Sequence, residues 1–318
     1  MLLIRGLHNL RVEHRDCVAT IGNFDGVHIG HQAVLTELTA RARAAGLPSL
    51  VIIFEPQPME FFRPEQAPAR LTRLREKLEA IAACGVDRVL LIRFDAAFAA
   101  VDAGDFVRQV LVERLGIRHL YVGDDFRFGK GRVGDYAMLE AMGREHGFAV
   151  ESLDTVADDG ERVSSTRIRE ALEQGDLEHA ARCLGRRYRI AGRVAHGNKR
   201  GRAIGFPTMN IGLLRRSTPL RGVFAVQAYC LEERPLLGVA NIGNRPTLEG
   251  DDRFLLEVHL FDYADDVYGR HVEVDFVERI REERKFESFD ALREQIARDV
   301  QRAREIHRLD AIAHGESR

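Results

Sequence analysis

The sequence predicts two folds in one chain: a doubly wound parallel α/β domain, then an antiparallel β domain closed by a helix. Three observations carry this. In the first half, short apolar or β-branched runs alternate with amphipathic helical stretches, and after Gly185 the texture changes to glycine-punctuated strands. At 318 residues the chain also exceeds what one hydrophobic core usually organises.

In the first half the predicted strands are 17–21, 50–54, 88–94, 119–123 and 148–153. Helical periodicity fills 30–45, 71–83, 104–115, 136–145 and 165–174, followed in turn by Gly46, Gly85, Gly116, Gly147 and Gly175 as C-cap candidates. Repeated β–α alternation implies a parallel sheet covered on both faces, Rossmann-like in plan. Beyond it, strands are expected at 188–194, 223–230, 236–242, 254–261 and 271–280. A closing helix carries Phe289, Leu292, Ile296 and Val300 on one face. The texture change divides the chain into 1–184 and 185–318.

Composition is that of a globular protein, with 45% hydrophobic and 30% charged residues, which excludes disordered and collagenous classes. Cys17, Cys84, Cys183 and Cys230 form no CxxC pair, so neither a zinc framework nor a disulfide scaffold is expected. No apolar window of membrane-spanning length occurs, and a cytoplasmic location without membrane partners is expected. Between Glu178 and Glu232 there are eleven Lys or Arg residues and no acid, so this segment favours anions. Nucleic acid is the rival partner. It would call for interleaved aromatic stacking platforms, and 185–221 holds only Tyr188 and Phe206.

The stretch from Gly22 to His31 (GNFDGVHIGH) joins the first predicted strand to the first helix. Ligands of open α/β sheets sit at the carboxyl ends of strands, and a helix N-terminus offers N–H groups to phosphate. His28 and His31 there suit a reaction in which charge grows on a phosphate, since imidazoles can donate hydrogen bonds to its oxygens. Against this stands the commoner role of a lone histidine as a helix cap, which the glycines at 22, 26 and 30 make the weaker alternative. Later, Ser164 to Arg169 (SSTRIR) opens a helix, either as an ordinary N-cap or as a clamp on nucleotide phosphates.

In the second half, Gly192 to Asn210 (GRVAHGNKRGRAIGFPTMN) combines close glycines with Lys199, Arg200 and Arg202. Its backbone N–H groups can approach phosphates, although Walker A spacing is absent. Thr208 and Asn210, two apart on an extended segment, share a side and offer oxygens to a Mg²⁺–nucleotide. In the strand 254–261 the even positions form the apolar face, so Glu257 points the other way, where it can accept an alcohol proton during phosphoryl transfer.

On these motifs nearly the whole chain resembles the prokaryotic bifunctional riboflavin kinase/FMN adenylyltransferases, also called FAD synthetases. The resemblance implies a six-stranded Greek-key barrel with a terminal helix in the second half, and two Mg²⁺-dependent reactions using ATP, riboflavin and FMN and yielding FAD. It identifies Gly22–His31 with the family's HxGH signature and assigns the first ATP site to Gly22, Phe24, Asp25, Gly26, His28, His31, Ser165, Thr166 and Arg169. The flavin side, in the segments 54–62 and 122–130, falls to Pro58, Phe62, Asp125 and Phe128, with Gln57 where the family typically has His. The kinase ATP site falls to Gly197, Gly201, Arg202, Gly205, Thr208 and Asn210, the last two holding Mg²⁺ through the nucleotide in a segment like the family's PTAN motif, with Met209 replacing Ala. Glu257 aligns with the catalytic glutamate. Asn241, Arg245, Arg281 and Arg284 lie in family-like segments without individual roles, and homo-oligomerisation is left open.

Overall fold

The computed structural model describes residues 1–123, 125–152, 156–196, 205–213, 217–245 and 253–313. Its contacts divide the chain into two compact units, Met1–Pro68 with Thr72–Val163, and Ala69–Leu71 with Ser164–Arg318.

In the first unit, strands β1 (Leu2–Arg5), β2 (Val18–Ile21), β3 (Ser49–Glu55), β4 (Arg88–Arg93), β5 (His119–Val122) and β6 (Ala149–Ser152) form one sheet in the order β1-β4-β3-β2-β5-β6. Every pairing is parallel. The run of apolar residues in β3 is explained by burial on both faces. Leu50 and Ile52 join a core with Phe106, Leu111 and Leu139, while Val51 and Ile53 join another with Leu35, Leu38 and Ile81. The edge strand β1 was not among the expected strands: it has four residues and ends in Arg5, too little pattern to read.

The helices are α1 (Ile29–Ala45), α2 (Pro58–Phe62), α3 (Leu74–Ala83), α4 (Ala96–Ala99), α5 (Ala103–Asp105) and α6 (Tyr136–His146). The helix expected over 104–115 is instead α5 running into a π-helical stretch, Phe106–Arg114. A short hairpin, β7 (Ala157–Asp158) and β8 (Glu161–Arg162), completes the unit.

The second unit opens with α7 (Ser165–Gln174) and α8 (Leu177–Leu184), so packing places these helices with the barrel, ahead of the expected division at Leu184. The barrel strands are β9 (Arg189–Ala195), β10 (Met209–Gly212), β11 (Gly222–Tyr229), β12 (Leu236–Arg245), β13 (Arg253–Leu260) and β14 (His271–Arg281), closed in the order β10-β13-β12-β11-β14-β9. The terminal helix α9 (Phe289–Ala313) lies on the outer wall, where Ala303 and Ile306 pack on Val223, Ala225 and Val239. Of the expected apolar stripe, Val300 packs on this cluster and Leu292 and Ile296 are half-buried, whereas Phe289 is 69% exposed; the fully buried face begins at Asp299.

Candidate active sites

Chain order reverses around β2, which pairs with both β3 and β5. The loop leaving its carboxyl end thus occupies the topological switch point, where open α/β sheets bind ligands. This loop is a latch. Asp25, 3% exposed, accepts the Thr72 backbone N–H at 3.0 Å and lies 3.2 Å from its hydroxyl, while Gly26 donates its N–H to Thr72 Oγ1 at 2.9 Å. Phe24 and Val27, both at positive φ, are buried against the helix side of the sheet and hold the turn down. Asp25 accordingly shapes the loop through Thr72.

His28 ends the latch as the N-cap of α1, its Nδ1 accepting the His31 backbone N–H at 3.3 Å. That bond leaves the proton of the neutral ring on Nε2. The ring is stacked on that of His31, centroids 3.7 Å apart, and Phe24 lies against His31 at 5.0 Å. Burial, then the neighbouring His28 and Lys77, push His31 well below the ordinary histidine range, so it is neutral near pH 7. Its Nδ1 is buried without a hydrogen-bond partner among the described residues. Both expected roles of His28, cap and donor, are therefore compatible in one side chain.

Lys77 on α3 is 1% exposed. Sequence reasoning passed over it, because one lysine in an amphipathic helix reads as a solvated charge.

Pro58 and Phe62 begin and end α2. Phe62 is 59% exposed and sits edge-on to Phe61 and Phe94, which leaves an open aromatic surface. Phe128 is core: 8% exposed, stacked with Phe126 and tilted on Phe106. Asp125 is exposed, with Arg162 at 3.8 Å. Gln57 is 7% exposed, and its Nε2 is buried without a hydrogen-bond partner among the described residues.

In the second unit, Ser164 caps α7 by accepting the Arg167 N–H at 3.2 Å, which puts Ser165 and Thr166 in the first turn. Arg169 donates from Nε to the carbonyl of Ala69 at 2.5 Å. Gly197, Gly201 and Arg202 lie outside the described residues; Gly205 is described, at φ +86.

The barrel supplies the other centre. On β13, Phe254, Leu256, Val258 and Leu260 are buried while Leu255, Glu257 and His259 are less so, the alternation expected of a strand with one dry face. Register places Asn210 opposite Glu257, and Glu257 opposite Asn241. Directly opposed residues share a face, so these three side chains form one polar row across β10, β13 and β12. Asn210 is 6% exposed, with Oδ1 buried and lacking a hydrogen-bond partner among the described residues. Two residues along the same face, His259 Nδ1 lies 2.8 Å from the Pro207 carbonyl, and its ring meets Phe206 edge-on. His259 thereby pins the segment that carries Thr208.

A histidine pair at the switch point of a parallel sheet and a glutamate row on an antiparallel barrel define a two-centre phosphate-handling enzyme. Residues 10–167 match the FAD synthetase family and residues 184–307 the riboflavin kinase family. A bifunctional riboflavin kinase/FMN adenylyltransferase of Escherichia coli K12 is 52% identical over 310 residues, covering 97% of this chain and 99% of that one. Its counterpart in Pseudomonas fluorescens is 53% identical over 306 residues, with 96% and 98% covered. A crystal structure described as a macrolide-efflux protein from Streptococcus pneumoniae superposes with a TM-score of 0.79 at 30% identity, covering 94% of this chain and 97% of that one. Among the described residues here, no helix is long and apolar enough to cross a membrane. The chain belongs to the bifunctional riboflavin kinase/FMN adenylyltransferase family.

Proposed function

We propose that this chain performs both reactions of its family with the residues assembled above: the second unit phosphorylates riboflavin to FMN, and the first transfers the adenylyl group of ATP to FMN, releasing pyrophosphate. The observation that carries the reading is the polar row Asn210, Glu257, Asn241, which sets a carboxylate beside a buried oxygen that has no hydrogen-bond partner among the described residues.

In the first unit, His28 Nε2–H and the neutral ring of His31 donate to phosphate oxygens as charge builds in the transition state, and the latch through Thr72 keeps them in place. Gly22, Phe24, Asp25 and Gly26 shape that anion pocket; Ser165, Thr166 and Arg169, on α7 of the second unit, keep the nucleotide role that the family resemblance implies. Phe62 offers the flavin an open ring, while Pro58, Asp125 and Phe128 frame that side.

In the second unit, Glu257 takes the proton of the terminal ribityl hydroxyl as that oxygen attacks the γ-phosphorus. Gly197, Gly201, Arg202 and Gly205 would cradle the phosphates. The unmatched Oδ1 of Asn210 suits a hard, oxygen-seeking cation, so Asn210 and Thr208 would hold Mg²⁺–ATP. When bound, that ion offsets phosphate charge. The groups assigned to phosphorylating riboflavin fall within 185–318 and the histidine pair within 1–184, while α7 and α8 fold with the barrel; we expect a cytoplasmic enzyme, a setting that suits cysteines held as thiols.

Substitution of Glu257 tests the reading. Glu257→Gln should lower kinase kcat by roughly 10²- to 10⁴-fold, the usual range for general base catalysis, with ATP binding retained. Thr208→Ala should weaken ATP binding as well. Rates and calorimetric ATP titrations separate the two, and near-normal kcat in Glu257→Gln would sink the assignment.

A further inference from the structure

Asp299 lies on α9 and is 3% exposed, an unusual place for a carboxylate. Its charge is matched by Arg281, the last residue of β14: Nε lies 3.0 Å from each oxygen and Nη2 2.8 Å from Oδ2. Gln295 Nε2 adds a bond at 2.7 Å. The remaining arm of Arg281, Nη1, donates to the Glu282 carbonyl at 2.8 Å, and the guanidinium lies 5.7 Å from the Phe286 ring centre. Arg281 is thus spent on protein contacts. Its work is to brace the residues that follow it.

Those residues lead back to the glutamate row. Arg281 pairs with Val223, and Val223 pairs with Asn241, the neighbour of Glu257. Two positions beyond Asn241 on the same face is Gly243, and the Glu283 carboxylate occupies the space that any side chain there would fill. Glu282 and Glu283 also wall a cleft of about 480 Å³ together with Thr218, Arg221 and Arg279.

The row itself assigns the two flanks of Glu257. Asn210, with the nucleotide-side segment, lies on one side; the alcohol must approach from the other, past Asn241 and Gly243. A polyol chain is recognised there by carboxylate and amide groups that accept its hydroxyl protons.

We propose that Asp299 is a positioning residue of the kinase: by fixing Arg281, it sets residues 281–286 against the alcohol-binding flank of Glu257. This rests on Glu257 as the base. Loss of the brace displaces the polyol and leaves the nucleotide in place, so it acts on riboflavin KM.

The test uses the full chain, comparing Asp299→Asn, Asp299→Glu, Gln295→Ala and Glu257→Gln. Asp299→Asn should raise riboflavin KM about tenfold or more, the scale of a sub-ångström misplacement. ATP affinity and FMN adenylylation should stay at the wild-type level. Asp299→Glu should recover part of the loss, and Gln295→Ala should shift KM the same way by less. An unchanged riboflavin KM in soluble Asp299→Asn overturns the proposal, as does loss shared equally with ATP affinity and adenylylation. If Asp299→Asn is insoluble, an unchanged KM in Gln295→Ala overturns it and a raised one supports it. Near-normal kcat in Glu257→Gln would instead show that the base, and with it the site, has been misplaced.

Discussion

His28 and His31 stack face to face, 17° from parallel, with Nδ1 of the first accepting the backbone N–H of the second. The stack fixes both rings before any nucleotide arrives. It also opposes a double positive charge, which adds to burial, the larger cause, in keeping His31 neutral.

Replacing either histidine with Ala should therefore remove one preorganised donor, lowering FAD formation about 10²- to 10³-fold. FMN formation in the same preparation should stay near wild type, because the kinase residues belong to the barrel. Equal loss of both products would show a folding defect.

The His31 environment also fixes a pH dependence. Its native pKa lies below the ordinary 6.5, so below that pH the unfolded chain binds a proton that the native state refuses. Stability then rises with pH: the contribution is complete above 6.5 and is lost as pH falls through that value. Melting temperature should drop on acidification, and His31→Gln should flatten that slope. A slope left intact by the substitution would remove His31 from the account.

Much of this was legible in the sequence, for definite reasons. The inner strands show because burial on both faces makes them continuous apolar runs, and Glu257 shows because its strand alternates. Strands β1 and β10 escaped because neither forms an unbroken apolar run: β1 lies at the sheet edge and ends in Arg5, and β10 holds Asn210 and Gly212. The latch joins Asp25 to Thr72, 47 positions away, and the brace joins Arg281 to Asp299 across two elements. Nothing local marks either pair. Lys77 was hidden for a different cause, since only the folded packing reveals that a helix lysine is buried.

Gly30 offers a test that separates stability from function. Alanine suits a helix better than glycine by up to about 1 kcal/mol. A Cβ at Gly30, however, would lie 3.2 Å from both Cε1 and Nδ1 of His28, forcing the ring to give by a few tenths of an ångström. Nδ1 is the atom that caps α1. Gly30→Ala should then melt no lower than wild type yet lose about tenfold in FAD formation, a modest share of the cost of misplacing a catalytic group. Unaltered FAD synthesis would mean that the ring tolerates displacement.

The last prediction concerns where the barrel begins. A fragment starting at the texture change, 185–318, lacks α7 and α8. Packing assigns both helices to the barrel unit, and α8 buries Leu177, Ala180, Cys183 and Leu184. The joint with the barrel is specific: Arg279 on β14 donates to the Gln174 carbonyl at 3.3 Å, and its side chain lies where a Cβ on Gly175 would be. Losing the burial that the two leucines provide would forfeit roughly 3–6 kcal/mol, at 1.5–3 each. That is a large part of the 5–15 kcal/mol or so that stabilises a typical domain. A fragment comprising Ser164–Arg318 should accordingly fold and phosphorylate riboflavin, whereas 185–318 should melt at a much lower temperature or aggregate. Circular dichroism melts and kinase rates on the two fragments decide this, and equal stability would show that α7 and α8 contribute nothing to the barrel.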